Sequence, residues 1–171
     1  RSEESGRNDI LRSMRKRLLL TAAASAFLIS CGGESKAPAP APAAQAEAPK
    51  PSDESRRFPK ANLVDTRVVD QHLLGKTFMP GGTLARYKKG RLEYEMFAAK
   101  LPTPLDAAVI LPDWRKALTE AKVEASFGGY SGEDGGRPVF VFVKGQWIAG
   151  VAGLPPREAD QQARGLAARL D

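Results

Sequence analysis

The glycine-rich segment 128–136 holds the side chains whose spacing best suits ligand chemistry. Glu133 and Asp134 stand there between glycines, which allow a backbone to approach a ligand closely. Carboxylates can hold Ca²⁺, but the segment lacks the alternating Asp/Asn positions and the closing Glu of an EF-hand loop. Asp-Gly-Gly is also typical of a plain turn. We therefore predict a metal-free glycine-rich loop whose edge is the candidate ligand-binding surface. The candidate residues are Gly128, Gly129, Tyr130, Glu133 and Asp134.

Metal, hydrolase and phosphate sites need sets of residues that this sequence does not assemble. His72 is the only histidine, so a zinc site would have too few ligands, and no G-x-S-x-G elbow accompanies it. Gly75-Lys76-Thr77 is similar to the end of a P-loop, but the first glycine of that motif would fall on Asp70. We predict no metal and no cofactor, and an ordinary surface or half-buried role for His72.

The carboxylates Glu93 and Glu95 lie two residues apart on one face of a predicted strand. Burial of such a pair would raise the pKa of one of them. Arg91 stands close by in the sequence, so a solvated face is the better interpretation. We predict that the protein is not an enzyme, and an enzyme with an unfamiliar site remains an alternative.

Cys31 is the single cysteine, so the chain cannot form an internal disulfide and the cysteine must have another role. It follows the basic residues 15–17 and about a dozen apolar residues, which is the layout of a cleavable export signal. The apolar run is shorter than the roughly 20 residues of a membrane-spanning helix. We predict an export signal at 14–30, preceded at 1–13 by an upstream extension or a misassigned start.

The end of that signal, Leu28-Ile29-Ser30-Cys31, resembles the lipobox of bacterial lipoproteins. The resemblance implies a diacylglycerol on the Cys31 sulfur, cleavage between Ser30 and Cys31, and acylation, for example with palmitate, of the new amino group. Two or three acyl chains, at about 0.8 kcal/mol per buried CH₂, form a stable membrane anchor. Gly32 replaces the Asp of many inner-membrane lipoproteins, which favours the outer membrane of the cell envelope. The alternative is a plain secreted protein with an incidental cysteine.

An Ala/Pro tract dominates residues 31–57, and this segment has no aromatic side chains. Ala/Pro alternation favours extended backbone without internal hydrogen bonds and cannot form a core. We predict a tether that holds a folded domain away from the membrane. The alternative is a tract that binds a partner or the cell wall.

The charge balance argues against a nucleic-acid partner. The formal net charge of the chain is +6. Residues 1–30 carry six basic and three acidic side chains, so cleavage before Cys31 leaves a net charge of +3. Nucleic-acid binding calls for a basic stripe. The longest basic cluster of the mature domain, Lys88-Lys89 with Arg86 and Arg91 nearby, lies on a predicted hairpin, where charged residues usually solvate an edge.

Residues 58–171 contain both Trp, all three Tyr and most of the Phe, so a core can form there. Period-2 alternation predicts strands, most clearly at 91–98, and the segment 139–143 is apolar on both faces, as in a central strand. Helices are predicted after Thr103-Pro104, with a break or kink at Pro112, and after Pro155. The apolar residues at helical spacing in the first helix, expected on its buried face, are Leu105, Val109, Leu111, Trp114, Leu118 and Ala121. Further strands are predicted at 63–73, where a helix is the alternative, and at 84–87, 123–127 and 147–152. The prediction is an α+β domain with a mostly antiparallel sheet of about five or six strands and two packed helices.

A weak internal repeat links the two parts of this domain. Lys89-Gly90 matches Lys144-Gly145, and Leu101-Pro102 matches Leu154-Pro155, each time between a strand pair and a helix. With 63–73 and 123–130 as leading strands, the pattern predicts two β-β-β-α halves.

The stretch from Phe127-Gly128-Gly129-Tyr130 through 138–142 to Lys144-Gly145 resembles an uncharacterised family of bacterial domains of unknown function. The resemblance covers residues 75–170 and implies the same α+β architecture. It implies no activity and no functional residues.

These observations favour a non-enzymatic envelope lipoprotein whose α+β domain binds an envelope protein or stabilises an assembly. The alternative is a small-ligand-binding module that uses the glycine-rich loop and a neighbouring tryptophan. Trp114 and Trp147 are both expected in the core, where neither would offer a ligand platform.

Overall fold

The computed structural model describes residues 50–171. The predicted export signal, Cys31 and most of the predicted tether lie outside the described residues. Between residues 50 and 171, no helix is both long and apolar enough to cross a membrane.

Seven strands form one antiparallel sheet in the order β1-β2-β3-β7-β6-β5-β4, and two α-helices pack on it. This confirms the predicted α+β class, with more strands than the five or six expected. The strands are β1 Leu63–Gln71, β2 Pro80–Lys89, β3 Leu92–Lys100, β4 Thr119–Glu124, β5 Gly129–Asp134, β6 Arg137–Lys144 and β7 Trp147–Ala152. The helices are α1 Pro104–Ala117 and α2 Pro156–Ala167, and single 3₁₀ turns occupy Ser55–Arg57 and Leu73–Gly75.

The additional strand is β5, which replaces most of the predicted glycine-rich loop. Gly129–Asp134 pairs with β6 on one side and with β4 on the other. A Cβ at Gly129 would collide with the carbonyl oxygen of Val141, so this glycine permits close approach of two strands. The loop prediction was therefore wrong, and the chain order is β-β-β-α followed by β-β-β-β-α.

The two faces of the sheet carry separate cores. Alternate residues of β3 point to opposite faces, so Met96 packs with α2 whereas Phe97 packs with α1. The α2 face includes Phe140, Phe142, Ala149 and Val151 below the α2 residues Ala159, Ala163 and Leu166 and below Leu170, which follows the helix. The α1 face includes Val141 and Ile148 below Ile110, Trp114 and Leu118. Because β6 contributes to both cores, the prediction of a central strand at 139–143 is confirmed.

Helix α1 begins as predicted, at a capping box. The Asp106 amide donates to Thr103 Oγ1 over 3.1 Å, and the Thr103 amide donates to the Asp106 carboxylate over 3.0 Å. The predicted buried face was partly wrong, because Leu105 and Val109 are 71% and 58% exposed. The expected break at Pro112 is also absent, since the helix continues to Ala117. Trp114, fully buried, holds this last turn against the sheet.

The segment 54–58 packs on the α2 face, although its first four residues were assigned to the tether. The Glu54 amide donates to the buried Thr83 Oγ1 over 3.0 Å. The Arg57 guanidinium donates to Glu54 and lies 4.8 Å from the ring centroid of Trp147. Phe58 is buried in the same core. The packed part of the chain therefore begins before residue 58, at a polar stretch without a hydrophobic signal in the sequence.

Candidate functional site

Part of the α1 face lies beyond the reach of α1 and carries a row of charged side chains. Asp65 of β1, Arg86 of β2 and Glu95 of β3 are successive neighbours across the sheet. Arg86 Nε and Nη2 donate to the two Asp65 oxygens over 2.7 and 2.8 Å. Arg137 of β6 completes the row by donating from Nη1 to Glu95 Oε2 over 2.7 Å. We call these four residues the charged row.

Small residues of β7 allow Arg137 to reach β3. Ala152 lies between Glu95 and Val139 in the sheet, and its carbonyl accepts a hydrogen bond of 3.1 Å from Arg137 Nη2. Gly153 follows with φ +95°, and a Cβ there would lie 3.3 Å from both Nε and Nη2 of Arg137. Glycine thus supplies both the backbone conformation and the space for the guanidinium.

A cleft of about 270 Å³ lies beside the charged row, next to the start of the connection between β1 and β2. We call this space the sheet cleft and residues 72–79 the 72–79 loop. The apolar lining residues are Val69, Leu74, Leu84, Val139 and Ala152. The polar lining residues are Arg67, His72, Glu95, Asp134 and Arg137, and Gly75 completes the lining.

Both buried packing and an ion pair hold the 72–79 loop. Leu73 and Met79 are buried in the α1-face core, and Trp114 Nε1 donates to the Met79 sulfur over 3.1 Å. Lys76 Nζ lies 2.6 Å from Asp134 Oδ1. Leu74 has φ +57°, a left-handed conformation that costs of order 1–3 kcal/mol for a residue other than glycine. The packing of Leu73 and Met79 offsets this strain.

The electrostatics of this surface suit ion pairing rather than proton transfer. The hydrogen bond from Arg86 lowers the pKa of Asp65, and the hydrogen bond from Lys88 lowers the pKa of Glu93. Both carboxyls are therefore charged at neutral pH. Among residues 50–171, no group of three or more His, Cys, Asp or Glu side chains is arranged to hold a metal ion.

The structure brings only one of the predicted ligand-binding residues, Asp134, to the sheet cleft. Gly128 lies in the turn before β5, with φ +62°. Tyr130 is partly buried against the α1-face core, and the Glu133 carbonyl accepts a hydrogen bond from Thr119 at the far edge of the sheet. The candidate residues therefore do not form one site.

The sequence did not predict a binding role for several residues that line the sheet cleft. His72 is exposed, within the surface role predicted for it, yet it lines the cleft together with Glu95. Arg67 and Arg137 belong to no motif, and only the fold brings them together from β1 and β6. Trp114 and Trp147 are buried, as predicted.

No protein-family model, curated protein or solved structure matches this chain. The function is therefore inferred from the residues and their geometry.

Proposed function

We propose that the chain is an envelope lipoprotein whose α+β domain is a non-enzymatic protein-binding module. The export signal at 14–30, the lipobox ending at Cys31 and the Ala/Pro tract support a lipid anchor followed by a spacer. Gly32 supports the outer membrane as the destination.

The charged row is the observation that supports protein binding. Its acidic and basic side chains alternate across β1, β2, β3 and β6 on a sheet surface that α1 leaves open. Such a pattern recognises a partner through complementary charges, which fix orientation and reject wrong partners. The segment 54–58 packs on the α2 face, which is the face of the sheet opposite the charged row.

Metabolic labelling with palmitate tests the anchor. The full precursor and its Cys31→Ser variant are expressed in a bacterium, labelled and fractionated into soluble, inner-membrane and outer-membrane material. We expect label and outer-membrane location for the precursor and loss of both for the variant. A soluble, unlabelled precursor would contradict the lipoprotein proposal.

Site-specific photo-cross-linking in cells tests protein binding. Val64 lies beside Arg86 and is 57% exposed, whereas Val123 is 70% exposed on β4, at the opposite edge of the sheet. We expect a photoreactive residue at position 64 to give a discrete adduct with one protein, and the same residue at position 123 to give none. Adducts of equal yield at both positions, or at neither, would contradict binding through the charged row.

A small-ligand-binding module is the second candidate, and the sheet cleft favours it. The cleft combines an apolar lining with several charged groups, as small-molecule sites do. It replaces the glycine-rich loop as the proposed ligand site.

A further inference from the structure

The charged side chains in and beside the sheet cleft are three cations, Arg67, Arg137 and Lys76, and two carboxylates, Glu95 and Asp134. Both of its carboxylates already have cationic partners, since Asp134 pairs with Lys76 over 2.6 Å and Glu95 pairs with Arg137 over 2.7 Å. Arg67 also lines the cleft, and it makes no side-chain hydrogen bond or ion pair with any residue that the structure describes. Asp65 is close enough to Arg67 for a Coulombic interaction, but both of its oxygens accept hydrogen bonds from Arg86. Arg67 is therefore the cation without a carboxylate partner of its own in the described part of the chain, and the complementary ligand group is an anion.

The guanidinium of Arg67 limits the chemical classes of anion that the cleft can bind well. A guanidinium offers parallel N–H donors that match the two oxygens of a carboxylate or phosphate. Arg137 stands on the same cleft with its Nη1 and Nη2 already engaged, so it contributes charge more than new hydrogen bonds. Arg67 is thus the residue expected to hold the anionic group directly, with the exposed His72 nearby on the same lining.

The apolar lining decides between a bare ion and an organic anion. Leu84 and Val139 are buried residues that form a fixed apolar base to the cleft, and Val69 and Leu74 add partly buried apolar surface. A phosphate ion would leave the exposed parts of Val69 and Leu74 in contact with water, whereas Leu84 and Val139 are already almost wholly excluded from it. A short hydrocarbon chain would cover those exposed parts and gain hydrophobic stabilisation with each methylene group.

We infer that the sheet cleft binds a small monocarboxylate with a short apolar chain, with Arg67 holding the carboxylate and Leu84 and Val139 contacting the chain. The volume of about 270 Å³ lies just below the usual range of small-molecule sites, which suits an acid of about six carbons. This inference rests on the second candidate function and names its ligand class.

Titrations of the ¹⁵N-labelled full chain in nanodiscs, followed by amide chemical shifts, test the inference. The probes are hexanoate, its neutral analogue hexanamide, and inorganic phosphate. We expect saturable hexanoate shifts in residues 67–75 and 134–139, with hexanamide and phosphate each binding at least about tenfold more weakly, since a charge-assisted pair contributes about that factor.

Variants identify the residue that carries binding. Arg67→Gln should weaken hexanoate binding about tenfold, and Arg67→Lys should weaken it less, because Lys keeps the charge but loses the planar fork. The matched control Arg91→Gln removes an exposed arginine at the β2–β3 turn, outside the cleft, and should leave the affinity unchanged.

Three outcomes would overturn the inference. One is the absence of saturable shifts up to about 50 mM hexanoate, given the millimolar affinity expected for so small a ligand. Another is equal or tighter binding of hexanamide or phosphate, and the third is an equal loss of affinity in the Arg67→Gln and Arg91→Gln variants. The palmitate and photo-cross-linking tests do not depend on the cleft, so the lipoprotein and protein-binding proposals stand or fall separately.

Discussion

Lys76 Nζ lies 2.6 Å from Asp134 Oδ1, so an ion pair joins the 72–79 loop to β5 although three strands separate β2 from β5 in the sheet. Both side chains are partly buried, which strengthens the pair relative to one in open solvent. The pair holds the middle of a loop that also lines the sheet cleft.

Replacing Lys76 with Met should therefore loosen the 72–79 loop. We expect a loss of about 1–2 kcal/mol in the free energy of unfolding, between the values for exposed and buried pairs. Faster amide hydrogen exchange confined to residues 72–79 should accompany it. Lys116→Met, which removes an exposed pair with Asp113 on α1, serves as the control and should change stability by less than about 0.5 kcal/mol. Unchanged exchange in the loop would show that Leu73 and Met79 hold it without the ion pair.

Gly153→Ala should destabilise the domain and displace Arg137. The residue has φ +95°, and the added Cβ would press on the guanidinium at 3.3 Å. We expect a cost of about 1–2 kcal/mol in urea unfolding. Gly165→Ala is the matched control, because Gly165 lies within α2 and a Cβ added there would meet no atom within 4 Å. It should stabilise by about 0.5–1 kcal/mol. Equal effects in both variants would contradict the close approach of Arg137 to Gly153.

Trp114→Ala tests which face of α1 enters the core. Trp114 is fully buried beside Phe78 and Phe97, so its truncation should cost about 3–5 kcal/mol of the free energy of unfolding. Leu105→Ala removes a side chain that is 71% exposed and should change stability by less than about 0.5 kcal/mol. Chemical denaturation measures both. A large loss for Leu105→Ala would mean that the outer side of α1 is covered.

The Asp65–Arg86 pair should be visible in the titration of the Asp65 carboxyl. The hydrogen bond from Arg86 lowers its pKa in the folded state, below the value of about 3.9 for an unfolded chain. The pair therefore stabilises the fold above about pH 4, and that contribution disappears as the pH falls through the folded pKa. In Arg86→Met the pKa of Asp65 should rise, as read from its carboxyl ¹³C shift.

Lys88→Met is the control for this titration. It removes the partner of Glu93, so it should raise the pKa of Glu93 and leave that of Asp65 low. An Asp65 pKa that is unchanged in Arg86→Met would contradict the ion pair.

The sequence alone predicted those elements in which local pattern and burial agree. The alternation of β3 and the uniformly apolar β6 identified both strands, and Thr103 marked the start of α1. Strand β5 was missed because glycine usually signals a turn, whereas Gly129 serves the close packing of β5 on β6. The face of α1 was misassigned because Leu105 and Val109 have helical spacing but point to solvent.

The sequence predicted the candidate site less well than it predicted the fold. Arg67 and Arg137 are 70 positions apart in the chain, and they line one cleft only because β1 and β6 belong to the same sheet and Gly153 leaves space for the Arg137 guanidinium. The separation of the two residues in the sequence therefore does not predict that they share a cleft. Asp134 was predicted from its glycine neighbours, but the pairing of β5 with β6 places it at the cleft, where it pairs with Lys76.

The attachment of segment 54–58 to the α2 face has a mechanical consequence. In a protein anchored at Cys31, tension along the chain would reach Glu54, Arg57 and Phe58 before it reached β1. Their contacts with Thr83 and Trp147 would bear the load first. These contacts would have to break before the edge strand β1 could separate from β2. The sheet cleft, on the other side of the sheet, would keep its shape under forces that these contacts withstand.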